Sequence, residues 1–238
     1  MDVSGKVAVV TGASKGIGLA VAEALAAKGA SLLLVARGQE ALEAAAEACR
    51  TAGAPRVVPL VADLTTHEGL DAVVMASVQQ FGGFDILVNN AGAGTARPIT
   101  QVSDEEFDRE IALNLRAPYL LTQAAVKVLR RRGGGQVVNI GSGLSYFAKA
   151  NWSLYAATKF GLRGFTECVR QEVAKEGIKV GLVAPGMTET PFFDHWESPP
   201  DLSQALQPAD VAHAVLAMIE QGPGSDIREI TVRPPHSP

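Results

Sequence analysis

The chain has 238 residues, of which 47% are hydrophobic and 19% charged, and its formal net charge is −4. This composition is typical of a globular protein with one large core, and we expect a single domain. The acidic balance argues against nucleic-acid binding, since nucleic-acid-binding domains are usually basic.

Short strands rich in Val, Ile and Leu alternate with Ala-rich helices along the sequence. The predicted strands are 6–12, 31–37, 56–63, 85–92, 136–142, 179–186 and 228–234, and the predicted helices are 17–29, 39–53, about 66–81, roughly 103–131, about 154–176 and 208–222. The strands are near-continuous apolar runs, which indicates burial on both faces. Strands separated by helices predict right-handed βαβ units, and therefore an α/β fold with a parallel seven-stranded sheet flanked by helices on both faces.

One long irregular segment, about 187–207, is rich in proline, acidic residues and aromatic residues. Irregular segments of that length are uncommon in compact domains and often act as lids over a site. We therefore expect a substrate loop at about 187–207.

The sequence contains no apolar run that approaches the roughly 18 residues of a membrane span, and its N-terminus does not have the layout of a signal peptide. Cys49 and Cys168 lie far apart, and the four histidines have no ligand spacing. We expect neither a metal site nor a disulfide framework. These features predict a cytoplasmic protein with no membrane partner.

The stretch TGASKGIG (11–18) directly follows the first strand and opens the first helix. Gly12, Gly16 and Gly18 allow a sharp turn and a close approach to a ligand. The helix N-terminus behind them offers free N–H groups and the positive end of the helix dipole to a pyrophosphate. A glycine turn of this kind can serve packing alone, but its place after the first strand of a βα chain favours nucleotide binding.

The stretch YAATK places Tyr155 and Lys159 four residues apart, on one face of a predicted helix. The same spacing is common on solvated helix surfaces, so it does not identify a site by itself. Ser142 lies thirteen residues earlier, at the C-terminal end of a predicted strand, where ligands gather in open parallel sheets.

In combination, TGASKGIG, NNAG at 89–92 and a serine thirteen residues before YAATK resemble the short-chain dehydrogenase/reductase (SDR) family, in its single-domain branch. The resemblance covers nearly the whole chain. It implies a Rossmann-like, doubly wound sheet in the order 3-2-1-4-5-6-7 with a nicotinamide cofactor bound across it. It also implies a catalytic set of four residues, Asn114, Ser142, Tyr155 and Lys159.

Each member of this set has an expected role in reducing a carbonyl group. Tyr155 donates the proton as general acid, and Ser142 orients the substrate carbonyl. Lys159 supplies a cation that lowers the pKa of the Tyr155 phenol, and it holds the nicotinamide ribose. Asn114 positions a water molecule that links Lys159 to solvent.

The second strand ends in Ala36-Arg37 with no acidic residue, and Lys15 stands in the glycine turn. An acid at this position would bind the ribose hydroxyl of NAD(H), whereas two cations favour the 2′-phosphate of NADP(H). The alternative is that both are ordinary surface charges. We expect NADP(H), and with it reduction as the physiological direction.

Other predicted cofactor residues follow from the resemblance. Asp63 matches a position that binds the adenine amino group, although a helix N-cap is an alternative. The full predicted cofactor set is Gly12, Ser14, Lys15, Gly16, Ile17, Gly18, Arg37, Asp63, Leu64, Asn90, Ala91, Gly92, Tyr155, Lys159, Pro185, Gly186, Thr188 and Thr190.

Nine of the thirteen aromatic residues lie between positions 146 and 196. Phe160 and Phe165 are expected to pack in the core. No Lys or Arg occurs from 180 to 227, which favours a neutral, fairly apolar carbonyl substrate. The predicted substrate pocket consists of Leu144, Tyr146, Trp152, Met187, Phe192, Phe193 and Trp196.

Three other functions remain open from the sequence. The chain is similar to 3-oxoacyl-carrier-protein reductases, but Glu176 stands where those enzymes commonly have a basic residue, and the C-terminus departs from their pattern. A non-catalytic NADP sensor would be expected to lack Tyr155 or Lys159. A sugar-nucleotide epimerase or dehydratase would carry an extra C-terminal region.

Two expectations concern assembly and docking. The resemblance implies a homotetramer, with a homodimer as the alternative. The basic cluster 130–132 is expected to be a solvated helix end rather than a docking surface.

Overall fold

The computed structural model describes residues 1–194, 196 and 200–235. Its strands are β1 Val7–Thr11, β2 Ser31–Ala36, β3 Val57–Val61, β4 Ile86–Asn89, β5 Gly135–Ile140, β6 Ile178–Pro185 and β7 Glu229–Val232. Its helices are α1 Gly16–Ala27, α2 Gln39–Thr51, α3 His67–Phe81, α4 Asp104–Ile111, α5 Ala117–Arg132, α6 Ser153–Val173 and α7 Pro208–Ile219. The seven strands form one parallel sheet in the order 3-2-1-4-5-6-7, which confirms the predicted fold.

The central strands are buried on both faces, as their continuous apolar runs predict. Every residue of β1, β4 and β5 is buried. Along β1, Ala8 and Val10 pack into the core with α1, α2 and α7, whereas Val7 and Val9 pack into the core with α3 and α5. The sheet therefore has one apolar layer on each side, and helices cover both.

The predicted helix at 103–131 is interrupted. It consists of α4, a π-helical turn Ala112–Arg116, and α5. Pro118 has no amide hydrogen, so it offers no donor to the Asn114 carbonyl four residues before it. The hydrogen-bond ladder widens there, and the Ala117 amide donates to the Ala112 carbonyl. Such π turns inside α-helices often mark functional sites.

The basic cluster 130–132 is more than a solvated helix end. Arg132 Nε and Nη2 donate to the two carboxylate oxygens of the buried Asp85, at 2.9 and 3.1 Å. The second oxygen of Asp85 also accepts from the Val7 amide at 2.9 Å. Arg130 forms an ion pair with Glu176. Both arginines therefore tie α5 to neighbouring elements.

The predicted substrate loop at about 187–207 is tied together at its ends. The Glu189 amide donates to the Leu206 carbonyl at 2.8 Å, and the Leu206 amide donates to the Met187 carbonyl at 2.9 Å. Between them lies a 3₁₀ turn, Pro191–Phe193. Position 195 and positions 197–199 of this loop lie outside the described residues. Within the described part of the chain, no helix is both long and apolar enough to cross a bilayer.

Candidate active site

A cavity of about 730 Å³ lies along the C-terminal ends of the central strands. It spans the point between β1 and β4 where the strand order reverses, which is the usual binding site in doubly wound sheets. Most of the predicted site residues line it. Those lining residues are Gly12, Ser14, Lys15, Gly16, Ile17, Arg37, Leu64, Asn90, Ala91, Gly92, Ser142, Leu144, Trp152, Tyr155, Lys159, Pro185, Gly186, Met187, Thr188, Thr190, Phe192, Phe193 and Trp196.

The glycine turn is shaped by close contacts with the end of β4. Gly12 has a φ of +64°, which an L side chain rarely adopts. Gly18 does not line the cavity; a Cβ there would lie 2.2 Å from the Gly12 carbonyl oxygen and 2.4 Å from Asn90 Nδ2. Gly18 therefore allows close packing beneath the turn. The neighbouring residues Gly16 and Ile17 line the cavity and can contact a ligand.

The start of α1 is open to an anion. Lys15 is its N-cap residue, makes no side-chain capping bond, and no acidic residue follows in the first turn. The first N–H groups of the helix are thus not used by side chains, and Lys15 and Arg37 are exposed on the rim of the cavity. This donor set fits a phosphate group.

Asp63 does not cap α3, contrary to the alternative that the sequence left open. Thr66 is the N-cap, and its hydroxyl accepts from the Gly69 amide at 3.0 Å. Asp63 Oδ1 instead accepts from the Thr65 amide and hydroxyl at 2.9 and 2.8 Å. These bonds, and then the nearby Arg37, lower the pKa of Asp63. Asp63 itself lies beside the lining residue Leu64 and does not line the cavity.

Asn90 joins the ends of β1 and β4. Its side-chain amide donates to the carbonyls of Thr11 and Gly12, at 2.9 and 3.2 Å. In return the Thr11 hydroxyl accepts from the Asn90 and Ala91 amides, at 2.9 and 3.0 Å. Sequence reasoning overlooked Thr11, although a hydroxyl that ends an otherwise apolar strand is a usable signal. The two side chains hold the glycine turn against β4.

Ser142, Tyr155 and Lys159 meet on one wall of the cavity. The Ser142 hydroxyl accepts from the Leu144 amide at 3.2 Å, and it lies close enough to the Tyr155 phenol to lower the pKa of that phenol. Lys159 Nζ donates to the Ile140 carbonyl at 2.9 Å and lies 5.5 Å from the centre of the Tyr155 ring. The strand end before Ser142 and the helix α6 thus place all three polar groups together.

In the chain without a cofactor, the pKa of the Tyr155 phenol is raised rather than lowered. The expected lowering by Lys159 in the site with bound cofactor stays a prediction. Burial raises the pKa of Tyr155; the nearby Ser142 hydroxyl opposes this shift, and the charge of Glu110 adds to it. Burial also lowers the pKa of Lys159 to about 8, and Glu110 opposes that shift. Desolvation is therefore the largest influence on the pKa values of both Tyr155 and Lys159.

Asn114 does not line the cavity. It is buried in the π turn, where Nδ2 donates to the Ala93 carbonyl at 2.7 Å and Oδ1 accepts from the Ala93 amide at 3.0 Å. Nδ2 also lies 3.2 Å from the Thr158 hydroxyl. The side chain thus fixes the segment after β4 to α6, behind Lys159.

Glu110 is the buried charged group that the sequence did not reveal. It lies one turn before Asn114 on α4, and it is buried, whereas Asp104, Glu105 and Asp108 on the same helix are exposed. Burial raises the pKa of Glu110 to about 7. The burial of Glu110 could not be predicted from its acidic neighbours on α4. The only indication in the sequence is that Glu110 precedes Asn114 by four residues.

An aromatic cluster covers the other end of the cavity. Phe192 lies 5.9 Å from Tyr155 and 5.1 Å from Phe193, measured between ring centres, and Trp196 lies 5.1 Å from Trp152. A Cβ at the buried Gly94 would lie 2.6 Å from Phe192 Cζ and 3.0 Å from Tyr155 Cδ2. Gly94 therefore leaves the space in which Phe192 reaches the tyrosine.

Two sequence-based predictions about aromatic residues are wrong. Tyr146 does not line the cavity; its hydroxyl donates to Glu229 at 2.8 Å, and the Arg163 guanidinium lies 4.3 Å from its ring centre. Phe160 is exposed on α6 and does not pack in the core. Tyr146 and Phe147 are adjacent in a turn, so their side chains diverge, and Phe147 lines the cavity instead.

Cations also reach the substrate end from segments outside the loop. Lys149 and Arg233 line the cavity, and the Arg233 guanidinium lies 5.8 Å from the Phe147 ring centre. The lack of Lys and Arg at 180–227 therefore does not leave the cavity without cations. Lys149 precedes α6 and Arg233 follows β7, so both come from outside that segment.

A second cleft, of about 750 Å³, lies between α6 and the segment that leads into β7. It contains none of the predicted site residues, and Arg163 and Glu229 within it are paired at 2.8 Å. The cavity at the strand ends, which gathers the polar groups with shifted pKa values, is the candidate active site. Among the described residues, no cluster of three or more His, Cys, Asp or Glu side chains is arranged to hold a metal ion.

Comparison with known proteins agrees with this architecture. The profile of the short chain dehydrogenase family matches residues 6–201. An uncharacterized oxidoreductase of Staphylococcus aureus (strain USA300) is 35% identical over 229 residues, which cover 96% of this chain and 97% of that protein. A similar protein of Staphylococcus epidermidis is 33% identical over 229 residues, with the same coverage.

Solved structures show the same fold. A metagenomic short-chain oxidoreductase in complex with NADP is 34% identical, with a TM-score of 0.86 over 98% of this chain and 99% of that chain. The L-sorbose reductase of Gluconobacter frateurii, complexed with NADPH and L-sorbose, is 32% identical, with a TM-score of 0.89 over 98% of each chain. The chain therefore belongs to the short-chain dehydrogenase/reductase family of oxidoreductases.

Proposed function

We propose that the protein is an NADPH-dependent, single-domain reductase that interconverts a ketone and a secondary alcohol by hydride transfer. The observation that carries this proposal is the meeting of Ser142, Tyr155 and Lys159 on one wall of the cavity that begins at the glycine turn. A proton donor and an anion-binding turn in one cavity are the two requirements of a nicotinamide-dependent carbonyl reduction.

The residues around the glycine turn fit a dinucleotide. The uncapped start of α1 and the cations Lys15 and Arg37 suit its phosphate groups, and no acidic side chain among the described residues lines that end of the cavity. Ala91 and Gly92 offer a wall without bulk for a ribose. Pro185, Gly186, Thr188 and Thr190 would hold the nicotinamide end. The bound nicotinamide supplies the hydride. NADP complexes of similar structures support the choice of NADP(H).

The polar wall supplies the proton and orients the carbonyl group. The Ser142 hydroxyl holds the carbonyl oxygen beside the Tyr155 phenol, which donates its proton to that oxygen. The Tyr155 phenol is protonated at neutral pH, so it can donate a proton in the direction of reduction. Lys159 is fixed by the Ile140 carbonyl and by its burial in α6, and it faces the same space. Asn114 fixes the π turn after α4 to the segment after β4 and to α6 through its hydrogen bonds with Ala93 and Thr158.

The aromatic cluster favours a substrate with an apolar body. Trp152, Phe192, Phe193 and Trp196 surround the space next to Tyr155, and the cluster buries apolar surface of a ligand. Lys149 lies on the rim of the same space, so a carboxylate on the substrate would meet a cation. A neutral aryl or alkyl ketone is the proposed substrate class, and the matching keto acids belong in the test.

The alternatives have less support. For a carrier-protein reductase, Arg130 would have to meet an acidic partner, but Arg130 is already paired with Glu176. A non-catalytic NADP sensor does not require Ser142, Tyr155 and Lys159 on one wall. Exposed Tyr119 on α5 and Phe160 on α6 support the pairing of these helices between subunits, as in the proposed homotetramer or homodimer.

The test is a spectrophotometric assay of NADPH consumption with a panel of aryl ketones, alkyl ketones and the matching keto acids. The wild-type protein is expected to consume NADPH with at least one neutral ketone. Tyr155→Phe is expected to bind NADPH with wild-type affinity and to lose at least about a hundredfold in kcat. NADPH binding without turnover of any carbonyl compound would favour the sensor, and retained activity of Tyr155→Phe would remove Tyr155 from its role.

A further inference from the structure

Glu110 is a buried carboxyl group beside the polar wall of the active site. The residue is only 3% exposed, and neither Oε1 nor Oε2 has a hydrogen-bond partner within the described residues. The Thr95 hydroxyl and amide lie close enough to lower its pKa, yet neither reaches an oxygen at hydrogen-bond geometry. Glutamate is almost never buried without a partner, because the loss of hydration is costly. A buried carboxyl group without a hydrogen-bond partner therefore requires an explanation.

The fold directs Glu110 towards the active site. It lies on the last turn of α4, on the same face as Asn114 one turn later. The helix α6, which carries Tyr155 and Lys159, packs against α4. The electrostatic influence runs both ways: the Lys159 charge lowers the pKa of Glu110, and the Glu110 charge raises the pKa values of Lys159 and Tyr155.

The other groups that face Glu110 leave it able to titrate near neutrality. Burial raises its pKa to about 7, and the charge of Glu106 on the same helix adds to that shift. Glu106 is itself paired with Arg97 of the preceding segment at 3.1 Å. From α6 come Lys159 and Tyr155, and from the segment before α4 comes Thr95, which does not titrate. Both protonation states of Glu110 are therefore accessible at the pH of the cell.

We propose that Glu110 is the internal proton-exchange group that restores the Tyr155–Lys159 pair after each turnover; this inference rests on the proposed reductase function. In reduction, Tyr155 gives its proton to the carbonyl oxygen. The phenolate then takes a proton from the Lys159 ammonium. The Lys159 amine takes one from the Glu110 carboxyl group through a bridging water molecule, because these two side chains make no direct hydrogen bond among the described residues. The Glu110 carboxylate finally takes a proton from solvent, so one solvent proton is consumed for each carbonyl group reduced. Glu110 touches neither substrate nor cofactor and acts only through Lys159.

The first experiment measures kcat for ketone reduction against pH in the wild type, Glu110→Gln and Glu110→Asp. Gln keeps the size of the side chain but carries no exchangeable acid. Reduction needs protonated Glu110, so the wild-type kcat is expected to fall as pH rises through about 7. Glu110→Gln is expected to lose this step and about tenfold in kcat at low pH, with unchanged NADPH affinity. Glu110→Asp is expected to recover part of both.

Asp108→Asn is the matched control, because Asp108 is an exposed acid on the same helix. Its pH profile is expected to match the wild type. A Glu110→Gln profile that also matches the wild type would overturn the proposal, because the acid would then have no part in the proton transfer.

The second experiment does not depend on turnover. The carboxyl carbon of Glu110 is followed by NMR in protein labelled with ¹³C-glutamate, and Glu110→Asp identifies its signal. The titration is expected near neutral pH in the wild type and at higher pH in Lys159→Met, because the lysine charge lowers the pKa of Glu110. An unshifted titration in Lys159→Met would overturn the coupling. If the wild type reduced no carbonyl compound, the reductase function would fail, and this titration would still test whether Glu110 and Lys159 are coupled.

Discussion

Asn114 and Ala93 form a closed pair of hydrogen bonds, in which one carboxamide satisfies both backbone polar groups of one residue, at 2.7 and 3.0 Å. The pair joins the π turn after α4 to the segment that leaves β4 towards the active site. It explains how a side chain that does not line the cavity can still shape it.

The first prediction concerns this pair. Asn114→Ala removes both bonds and leaves the Ala93 amide and carbonyl without partners, so we expect unfolding free energy to fall by about 2 kcal/mol or more. Ketone reduction should fall with it, because the segment after β4 loses its support. Thr158→Val is the control: it removes the 3.2 Å contact with Asn114 and the 2.8 Å bond to the Tyr155 carbonyl, but it leaves the Ala93 pair intact. It should cost about 1 kcal/mol. Urea denaturation measures both, and equal losses would mean that the Ala93 pair is not the stabilising contact.

The second prediction concerns cofactor choice. Arg37→Asp replaces a cation by an acid on the rim of the cavity and should repel a 2′-phosphate while accepting a ribose hydroxyl. We expect KM for NADPH to rise about tenfold or more and the ratio of kcat/KM values to shift towards NADH. Arg131→Asp, an equal charge change at the exposed end of α5, should leave the ratio unchanged. An unchanged ratio in Arg37→Asp would contradict the proposed phosphate site.

The third prediction concerns the packing of the glycine turn. Gly18→Ala forces a Cβ to within 2.2 Å of the Gly12 carbonyl oxygen, so either the turn or α1 must shift. We expect a loss of about 1 to 3 kcal/mol in unfolding free energy and weaker NADPH binding. Gly38→Ala is the control, since a Cβ there meets no atom within 4 Å. Calorimetric titration with NADPH and thermal unfolding provide the measurements; wild-type behaviour of Gly18→Ala would show that the turn can move without penalty.

The fourth prediction compares two ion pairs at the end of α5. Asp85 is buried and bonded to both Arg132 and the Val7 amide, so Asp85→Ala should cost about 3 kcal/mol. Glu176→Ala breaks the exposed pair with Arg130 and should cost much less than Asp85→Ala, because solvent screens this pair. Chemical denaturation of both variants tests the difference. Similar losses would mean that burial does not separate the two pairs.

The fifth prediction concerns stability against pH. The pKa of Glu110 is raised to about 7 from the model-compound value of 4.5, so its contribution to stability is complete below pH 4.5 and is lost as pH rises through about 7. Glu110→Gln stays neutral throughout. We expect its stability relative to the wild type to increase between pH 5 and pH 8.5, by on the order of 3 kcal/mol. Asp108→Asn should show no such trend, and a flat difference for Glu110→Gln would mean that Glu110 titrates normally.

Local patterns predicted the sheet and much of the cavity because each depends on residues close in sequence. The apolar runs define buried strands, and the glycine turn follows one of them directly, so Gly12 and Lys15 line the cavity at the end of that strand. Ser142 and Tyr155 follow from the family motif and from the rule that strand ends gather ligands.

The remaining features depend on partners distant in sequence. Tyr146 turns away because Arg163 and Glu229, from α6 and β7, take up its ring and hydroxyl. Glu110 is buried because α6 packs against α4. The acidic sequence of α4 predicts a solvent-exposed helix and gives no sign of this packing. Neither partner is visible in the local pattern around these residues.

The 3₁₀ turn after β6 serves both ends of the active site. Thr190, at its start, lies so close to the glycine turn that a Cβ on Gly16 would be 3.1 Å from it, and Phe192, two residues on, lies against Tyr155. If NADP(H) and the carbonyl substrate bind as proposed, both contact this turn. The ligand that binds first orders the turn, so the second ligand binds to a turn that is already ordered. The two affinities are then thermodynamically linked, so each ligand should lower the dissociation constant of the other by the same factor.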